Sequence, residues 1–261
     1  MERLLRRAAS MLPTGVREAL RQTPIYTFYH VARFNMLRLE TCSVNVNGVP
    51  LQVMVPARDT EIVRLFSAGY EPGTSALFCE HVGVGDTVWD VGSQYGYFSM
   101  LSAHLNGHPE RVHAFETVPY CCQALMASSC RFLDRQVRVN NRWVGDHEGG
   151  RVITLDGYMD RTGSRPNLIK MDIEGAEAVA FKGMERVLEA CRPTIILEIH
   201  PVKIIRDFGA NQRDIIALLK RHGYRVLINM DHRSDHTTFV PLDEALLDDE
   251  RMSYELLCLG A

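Results

Sequence analysis

The stretch of sequence that decides the fold runs VWDVGSQYG over residues 88–96. A short apolar run containing Asp90 predicts a buried strand, and the chain then turns through Gly92 and Gly96 into a segment with helical periodicity. In open sheets of parallel strands, ligands bind beyond the carboxyl ends of the strands, where glycine lets a ligand approach the backbone. The stretch therefore predicts a ligand-binding turn at the start of an α/β domain.

Apolar runs and helical patterns alternate from this turn to the end of the chain, which predicts an α/β fold with a mostly parallel sheet. Together with the strand over 87–91, we predict strands at 111–115, 137–144, 167–173, 193–199, 224–228 and 254–259. Helices are predicted between most of them, including one from Pro119 and one along the apolar stripe of 176–188. The expected sheet has about seven strands with helices on both faces, and an antiparallel arrangement of the last two strands stays open.

The first 80 residues predict an extension that packs on the main domain. Arginines and leucines over 2–22 predict two short helices; packing on the domain is the favoured interpretation, and attachment to a membrane surface is the alternative. An Asn47-Gly48 pair between two apolar runs predicts a β-hairpin that ends at Pro56. We therefore predict an N-terminal extension over 1–80 and one main domain over 81–261.

Composition and charge exclude several classes of protein. The chain has 261 residues, 46% of them hydrophobic, which is enough apolar mass for a large core and argues against disorder. A net charge of −3 gives no broad basic surface for nucleic acid, and no apolar run is long enough to predict a transmembrane segment. Seven cysteines without a Cys-x-x-Cys pair predict reduced thiols, so we expect a cytoplasmic protein. Its oligomeric state is not predicted.

A carboxylate at the end of the second strand predicts the type of ligand. Glu116 follows Gly96 by about 20 residues, at a place where a carboxylate can accept hydrogen bonds from both hydroxyls of a ribose. The spacing Gly92-x-x-x-Gly96 differs from the G-x-G-x-x-G fingerprint of dinucleotide-binding proteins. A nucleoside ligand is therefore predicted, and a nicotinamide cofactor is the less favoured alternative.

Acidic residues and a histidine follow the next two strands. Asp172 and Glu174 lie at the end of one strand, and Glu198 and His200 at the end of the next, while Glu177 falls in a first helical turn and is assigned a structural role. Because parallel strands end at one edge of the sheet, Asp172, Glu174 and His200 are candidate general bases for the same site. Two carboxylates so placed can also hold Mg²⁺, although the sequence identifies no third ligand.

These motifs together resemble the FkbM family of S-adenosylmethionine-dependent methyltransferases. The resemblance covers residues 69–201, and its specific part is the run Lys-x-Asp-x-Glu-Gly-Ala-Glu over 170–177. The segments that carry it are GYEP at 69–72, DVGSQYG at 90–96, AFE at 114–116, TLD at 154–156, IKMDIEGAE at 169–177 and LEIH at 197–200. The resemblance implies a Rossmann-like class I methyltransferase fold, with the cofactor bound by the domain over 81–261.

The resemblance also implies roles for individual residues. Asp90, Gly92 and Gly96 are expected to shape the methionine end of the cofactor site. Glu116 is expected to hold the ribose, Val144 to lie near the adenine, and Glu71 to help close the site. The set of cofactor-binding residues is completed by Ser93 and Gln94, where this sequence departs from the family's usual Ala-Asn.

The function implied is transfer of a methyl group from S-adenosyl-L-methionine to a hydroxyl of a small natural product, sugar or lipid-like acceptor. Only 39 residues separate Glu116 from Asp156, fewer than the family usually has. A methyltransferase-like binding or scaffold protein without activity therefore stays as an alternative. A nicotinamide-dependent dehydrogenase is the third hypothesis.

Overall fold

The computed structural model describes residues 38–231, 238–247 and 250–260. The two helices predicted over 2–22 lie outside these residues. The described residues form three sheets, of two, eight and two strands. None of the helices within this part of the chain is both long and apolar enough to cross a lipid bilayer.

The predicted β-hairpin is confirmed. It consists of β1 (Leu39–Val46) and β2 (Val49–Pro56), which pair in antiparallel register with Val46 opposite Val49. Asn47 and Gly48 have φ angles of 49° and 91°, and a two-residue type I′ turn requires positive values at both positions. Two helices follow, α1 (Thr60–Ala68) and α2 (Pro72–His81).

Ten further strands follow the hairpin. They are β3 (Val88–Val91), β4 (Val112–Phe115), β5 (Arg138–Asn140), β6 (Trp143–Val144), β7 (Val152–Ile153), β8 (Leu168–Met171), β9 (Thr194–Ile199), β10 (Arg225–Asn229), β11 (Val240–Pro241) and β12 (Tyr254–Leu259). The eight-stranded sheet has the spatial order β5-β4-β3-β8-β9-β12-β10-β11, and β6 pairs with β7 separately. The main sheet therefore has the seven expected strands and a two-residue edge strand, β11.

The sheet is mostly parallel, as predicted. The neighbours from β5 to β9 all pair in parallel, whereas β12 runs antiparallel to both β9 and β10, so the final pair of strands is antiparallel. From β3 the chain proceeds through β4 to one edge and then crosses to β8 on the other side. β3 and β8 therefore flank the switch point of the sheet, where ligands bind in open α/β folds.

Helices cover both faces of this sheet. They are α3 (Tyr97–Asn106), α4 (Pro119–Phe132), α5 (Leu155–Thr162), α6 (Glu177–Lys182), α7 (Glu185–Cys191), α8 (Pro201–Phe208) and α9 (Gln212–Arg221). Trp89 and Ile169 belong to one buried cluster with α5, α6, α7 and α9, whereas Val88 and Leu168 belong to another with α3, α4 and the hairpin. This alternation follows from the two-residue repeat of a strand, and it explains why the strands are apolar throughout.

Two predicted elements are interrupted. The strand predicted over 137–144 divides into β5 and β6, and in the interruption the side chain of Asn141 donates a hydrogen bond to the carbonyl oxygen of Glu116. The helix predicted along 176–188 divides at Gly183. A Cβ at Gly183 would overlap the carbonyl oxygen of Gly145, and the carbonyl of Gly183 accepts from the N–H of Asp156 rather than continuing a helical ladder.

A buried hydrogen bond connects an early helix to the last strand. The hydroxyl of Thr74 in α2 donates to Oε1 of Glu255 in β12 over 2.8 Å, across 181 positions of sequence. Glu255 in turn lies opposite Glu198 of β9 in the strand register. Residues 38–80 are thus joined to the main sheet by the hairpin core and by this contact, and the boundary at residue 80 stays a prediction.

The packing of the hairpin gives a test of this joined core. Leu51 is 1% exposed and lies in the cluster that includes α3 and α4, so Leu51→Ala should lower the free energy of unfolding by about 2–5 kcal/mol. Its neighbour Gln52 is exposed, and Gln52→Ala should change the free energy by no more than about 0.5 kcal/mol. Urea denaturation followed by circular dichroism measures both. Equal effects of the two substitutions would show that the hairpin does not share the core.

Candidate active site

A cavity of about 780 Å³ lies at the carboxyl ends of β3, β4 and β8, beside the switch point of the sheet. Gly92, Glu116 and Asp172, which directly follow these three strands, all line it. Aromatic side chains from α1, α3 and the segment between α1 and α2 contribute further lining: Phe66, Tyr70, Tyr97 and Phe98. Other lining residues come from the segment of β6 and the end of α8: Arg142, Trp143, Val144, Arg206, Asp207 and Phe208.

The glycines of the first turn are required by close packing. Gly92 has a φ of 92°, and a Cβ there would overlap the carbonyl oxygen of Asp172, so the turns after β3 and β8 are in direct contact. Gly96 has a φ of 86°, and a Cβ there would overlap the side chain of Leu125 in α4. Gly92 therefore shapes the cavity floor, whereas Gly96 allows α3 to pack on α4.

Glu116 is held in position by the backbone at the end of β4. Its Oε2 accepts a hydrogen bond from the N–H of Gln94 over 2.8 Å, and its Oε1 accepts one from the N–H of Val118 over 2.7 Å. Burial raises the pKa of Glu116, while the N–H groups of Val118 and Gln94 act in the opposite direction. Each carboxylate oxygen has two lone pairs, so these donors orient the group and leave capacity to accept hydrogen bonds from a ligand.

A buried lysine lies among the acidic residues. Lys170 is 5% exposed in the middle of β8, and burial alone would lower its pKa. The carboxyl groups of Asp172, Asp90 and Glu71 outweigh burial and raise the pKa of Lys170 above its ordinary value. Its Nζ also lies 5.1 Å from the centre of the Phe98 ring. The lysine is therefore a fixed positive charge in the lining of the cavity.

Asp90 belongs to this buried set of charges. One of its oxygens accepts a hydrogen bond from the hydroxyl of Ser99 over 2.6 Å, and the residue is 1% exposed. Burial raises the pKa of Asp90, whereas Lys170 and Ser99 lower it. Asp90 does not line the cavity. It lies beneath the glycine turn, where it interacts with Ser99 and Lys170.

His200, which follows β9, is surrounded by carboxylates. Its Nδ1 lies 3.0 Å from Glu177, and its Nε2 lies 3.5 Å from Glu198, 3.7 Å from Glu174 and 3.9 Å from Asp172. Burial disfavours the charged ring, but the hydrogen bond with Glu177 and the charges of Glu177, Asp172 and Glu198 raise the pKa of His200. The imidazole therefore holds a proton more readily than an isolated histidine does.

The residues proposed from the sequence divide into two layers. Seven of them line the cavity: Gly92, Ser93, Gln94, Glu116, Val144, Asp172 and Glu174. Four lie next to that layer without lining the cavity: Glu71, Asp90, Gly96 and His200. Glu71 is half-buried at the start of α2, where burial raises its pKa and Lys170 lowers it. Their roles in binding or catalysis stay predictions.

Sequence reasoning gave no role to Lys170 or to the aromatic lining, and only part of the role of Glu177. Lys170 stands in an otherwise apolar strand, and a lysine at a doubly covered position is a signal of a buried charge network. Glu177 is fully buried and also accepts hydrogen bonds from the N–H groups of Ile173 and Gly175. It therefore has the expected structural role, and in addition it fixes the ring of His200. The aromatic lining from α1 and α3 carries no local motif that could have revealed it.

The architecture and the cavity together define a class of protein. A mostly parallel sheet covered by helices on both faces, with β12 and the short edge strand β11 reversed and a cavity at the switch point, is the Rossmann-like class I methyltransferase fold that was predicted. Residues 144–226 match the family model described as the methyltransferase FkbM domain. The resemblance to the FkbM methyltransferases is thereby confirmed over these residues. No curated protein matches the chain.

Several solved structures are similar to this chain. A methyltransferase FkbM from Methylobacillus flagellatus KT is 16% identical with a TM-score of 0.48, over 76% of this chain and 52% of that one. A precorrin-6y C5,15-methyltransferase from Geobacter metallireducens GS-15 is 15% identical with a TM-score of 0.46, over 74% and 89%. A SAM-dependent O-methyltransferase from Thermotoga maritima is 13% identical with a TM-score of 0.45, over 84% and 77%. The alignment thus includes only about half of the Methylobacillus protein.

The contact beneath the glycine turn can be tested with a matched pair of glycines. Gly92 and Gly107 both have positive φ, but nothing lies within 4 Å of a Cβ at Gly107. Gly107→Ala should therefore cost only the backbone strain, about 1–2 kcal/mol. Gly92→Ala should cost about 1–3 kcal/mol more, because the carbonyl of Asp172 must move. Chemical denaturation compares the two variants, and equal losses would contradict the direct contact between the turns.

Proposed function

We propose that this protein transfers a methyl group from S-adenosylmethionine to a hydroxyl of a small acceptor molecule. The observation that carries the proposal is the carboxylate of Glu116, which two backbone N–H groups hold at a cavity beside the switch point. A carboxylate after the second strand of such a sheet is placed to bind the hydroxyls of a ribose. The FkbM match over 144–226 supports methyl transfer as the reaction.

The residues around the cavity fit the chemistry of this cofactor. The volume of about 780 Å³ falls within the usual range for small-molecule sites. At the turn after β3, the hydroxyl of Ser93 is buried and has no hydrogen-bond partner among the described residues, so it is available to a polar ligand. We assign Gly92, Ser93 and Gln94 to the methionine end, with Asp90, Gly96 and Glu71 supporting that end from outside the cavity.

The nucleoside end would be formed by different elements. Glu116 is assigned to the ribose, and Val144, with the neighbouring Trp143, to the adenine. β6 and β7 lie in the short stretch between Glu116 and Asp156, so this stretch still supplies lining residues despite its length. This observation favours the enzyme over the inactive scaffold protein that the short stretch had suggested.

The acceptor would bind against the acidic side of the cavity. When bound, S-adenosylmethionine supplies an electrophilic methyl group. Asp172 and Glu174 line the cavity, so either carboxylate can orient the acceptor hydroxyl and receive its proton. His200 contacts both carboxylates from outside the cavity, and Glu177 fixes the direction of its ring. We therefore propose Asp172 and Glu174 as catalytic residues. His200 is proposed as a positioning residue that holds these two carboxylates in place and influences how readily they accept a proton.

Cofactor binding provides the first test. Glu116→Ala should weaken binding of S-adenosylmethionine by roughly 10- to 100-fold, because a charged acceptor of hydrogen bonds is lost. Glu189→Ala, which changes an exposed glutamate, should leave the affinity unchanged. Isothermal titration calorimetry measures both, with NAD as a comparison ligand. Binding of NAD in preference to S-adenosylmethionine would overturn the proposal, and an unaffected Glu116→Ala variant would overturn the ribose assignment.

Turnover provides the second test. The protein is incubated with methyl-labelled S-adenosylmethionine and a library of hydroxylated small molecules, and products are detected by mass spectrometry. Asp172→Asn should slow transfer by about 10²- to 10⁴-fold while leaving cofactor affinity within a few-fold, because a general base is lost. Asp160→Asn, at an exposed ion pair with Arg186, should have no effect. Cofactor binding without any transfer would favour the inactive scaffold protein.

A further inference from the structure

A compact group of metal-ligating side chains lies at the acidic side of the cavity. It consists of Asp172, Glu174 and His200, each of which offers one ligand atom within 4.8 Å of the other two. The Nε2 of His200 is 3.9 Å from Oδ1 of Asp172 and 3.7 Å from Oε2 of Glu174. These separations are slightly larger than the roughly 3.0–3.5 Å between neighbouring ligands of one divalent ion, so small side-chain movements suffice to close the site.

One buried oxygen of this group lacks a hydrogen bond, and it lies close to the ring of His200. The side chain of His200 is 5% exposed, and among the described residues only its Nδ1 makes a hydrogen bond, to Glu177. The Nε2 faces the carboxylates, the nearest of which is Glu198 at 3.5 Å. Oδ1 of Asp172, which lies 3.9 Å from this nitrogen, is buried without a hydrogen bond. Such an oxygen is costly to bury unless something else binds it.

The charge around His200 favours a further cation. Four carboxylates lie within 4.0 Å of the ring: Asp172, Glu174, Glu177 and Glu198. Asp172 also lies beside the ammonium group of Lys170, and Glu174 contacts that of Lys203. Carboxylates this close together repel one another, and a cation bound among them would relieve that repulsion.

We propose that Asp172, Glu174 and His200 bind one divalent first-row transition ion, such as Mn²⁺ or Zn²⁺. The imidazole decides the choice of ion, because Mg²⁺ prefers an all-oxygen ligand set, whereas imidazole together with carboxylate suits transition ions. The site thus differs from the Mg²⁺ site that two carboxylates alone had suggested. Glu177 supports the imidazole through Nδ1, the arrangement in which a carboxylate orients a metal-binding histidine.

The position of the ion has a consequence that depends on the proposed methyl transfer. Asp172 and Glu174 line the cavity, so the remaining coordination positions of the ion face the acceptor. An acceptor with two neighbouring hydroxyls can occupy two such positions. The ion would lower the pKa of a bound hydroxyl, and the carboxylate oxygen of Asp172 or Glu174 that does not bind the ion would receive its proton, in line with the general-base role proposed above.

Lys203 gives this site a built-in competitor. Its ammonium contacts Glu174, the most exposed of the three ligands, with 67% of its side chain accessible. An ion that binds Glu174 must displace this contact. Removing the lysine with Lys203→Met should therefore strengthen metal binding, by up to about fivefold, which is the strength of a typical exposed ion pair.

Direct metal binding tests the proposal. The whole chain is treated with a chelator, and Mn²⁺ binding is followed by electron paramagnetic resonance, with Zn²⁺ competition as a second readout. The wild type should bind one Mn²⁺, and both His200→Gln and Asp172→Asn should bind it at least about 10-fold more weakly. His147→Ala, which removes an exposed histidine beside Asp146, should bind as the wild type does.

The outcomes separate this proposal from the proposed function. Thermal unfolding verifies that each variant is folded. If His200→Gln does not fold, the Asp172→Asn variant provides the test. Absence of Mn²⁺ and Zn²⁺ binding to the wild type, or equal binding by both variants, would overturn the metal site. S-adenosylmethionine is titrated separately in the presence of chelator. Cofactor binding there, with no metal binding elsewhere, would leave the methyltransferase proposal intact.

Discussion

The buried ammonium of Lys170 is the constraint on which the site depends. It lies in the middle of β8, where a charge is expensive to bury, and it is stabilised because Asp172, Asp90 and Glu71 converge on it. These carboxyl groups come from the ends of two strands and the start of α2. Each of them would be costly to bury alone. The attraction between the ammonium group and these carboxyl groups therefore holds the turn after β3, the turn after β8 and the start of α2 in one arrangement.

Much of this arrangement could be predicted, because parallel strands end at one edge and the acidic residues of this chain follow apolar runs. Glu116, Asp172 and Glu174 line one cavity for that reason. The sequence could not show how deeply each side chain is buried, because a pattern along the chain shows which edge of the sheet a residue occupies. It does not show whether the side chain faces the cavity or the core. Asp90 and His200 consequently lie outside the cavity lining. The break at Gly183 depends on a backbone contact with Gly145, which no local pattern encodes.

The cavity has two ends built by different means. At the end proposed for the nucleoside, backbone N–H groups fix Glu116, so this geometry depends little on side-chain conformations. At the end proposed for the acceptor, Asp172, Glu174 and His200 are positioned by one another and by Glu177. Backbone-fixed geometry suits a ligand common to a whole family of enzymes. Side-chain geometry can be altered by single substitutions, and it therefore suits the half of the site where acceptors differ.

The hydrogen bond between Thr74 and Glu255 has a consequence for the order of folding. During synthesis α2 emerges long before β12, which lies 181 positions later and is inserted between β9 and β10. Contacts so distant in sequence form slowly, because the loop between them must first be ordered. The main sheet can assemble as far as β9 before Glu255 has been synthesised. The hydrogen bond that joins the start of α2, next to the wall at Tyr70, to the far side of the sheet thus forms only after β12 has been synthesised.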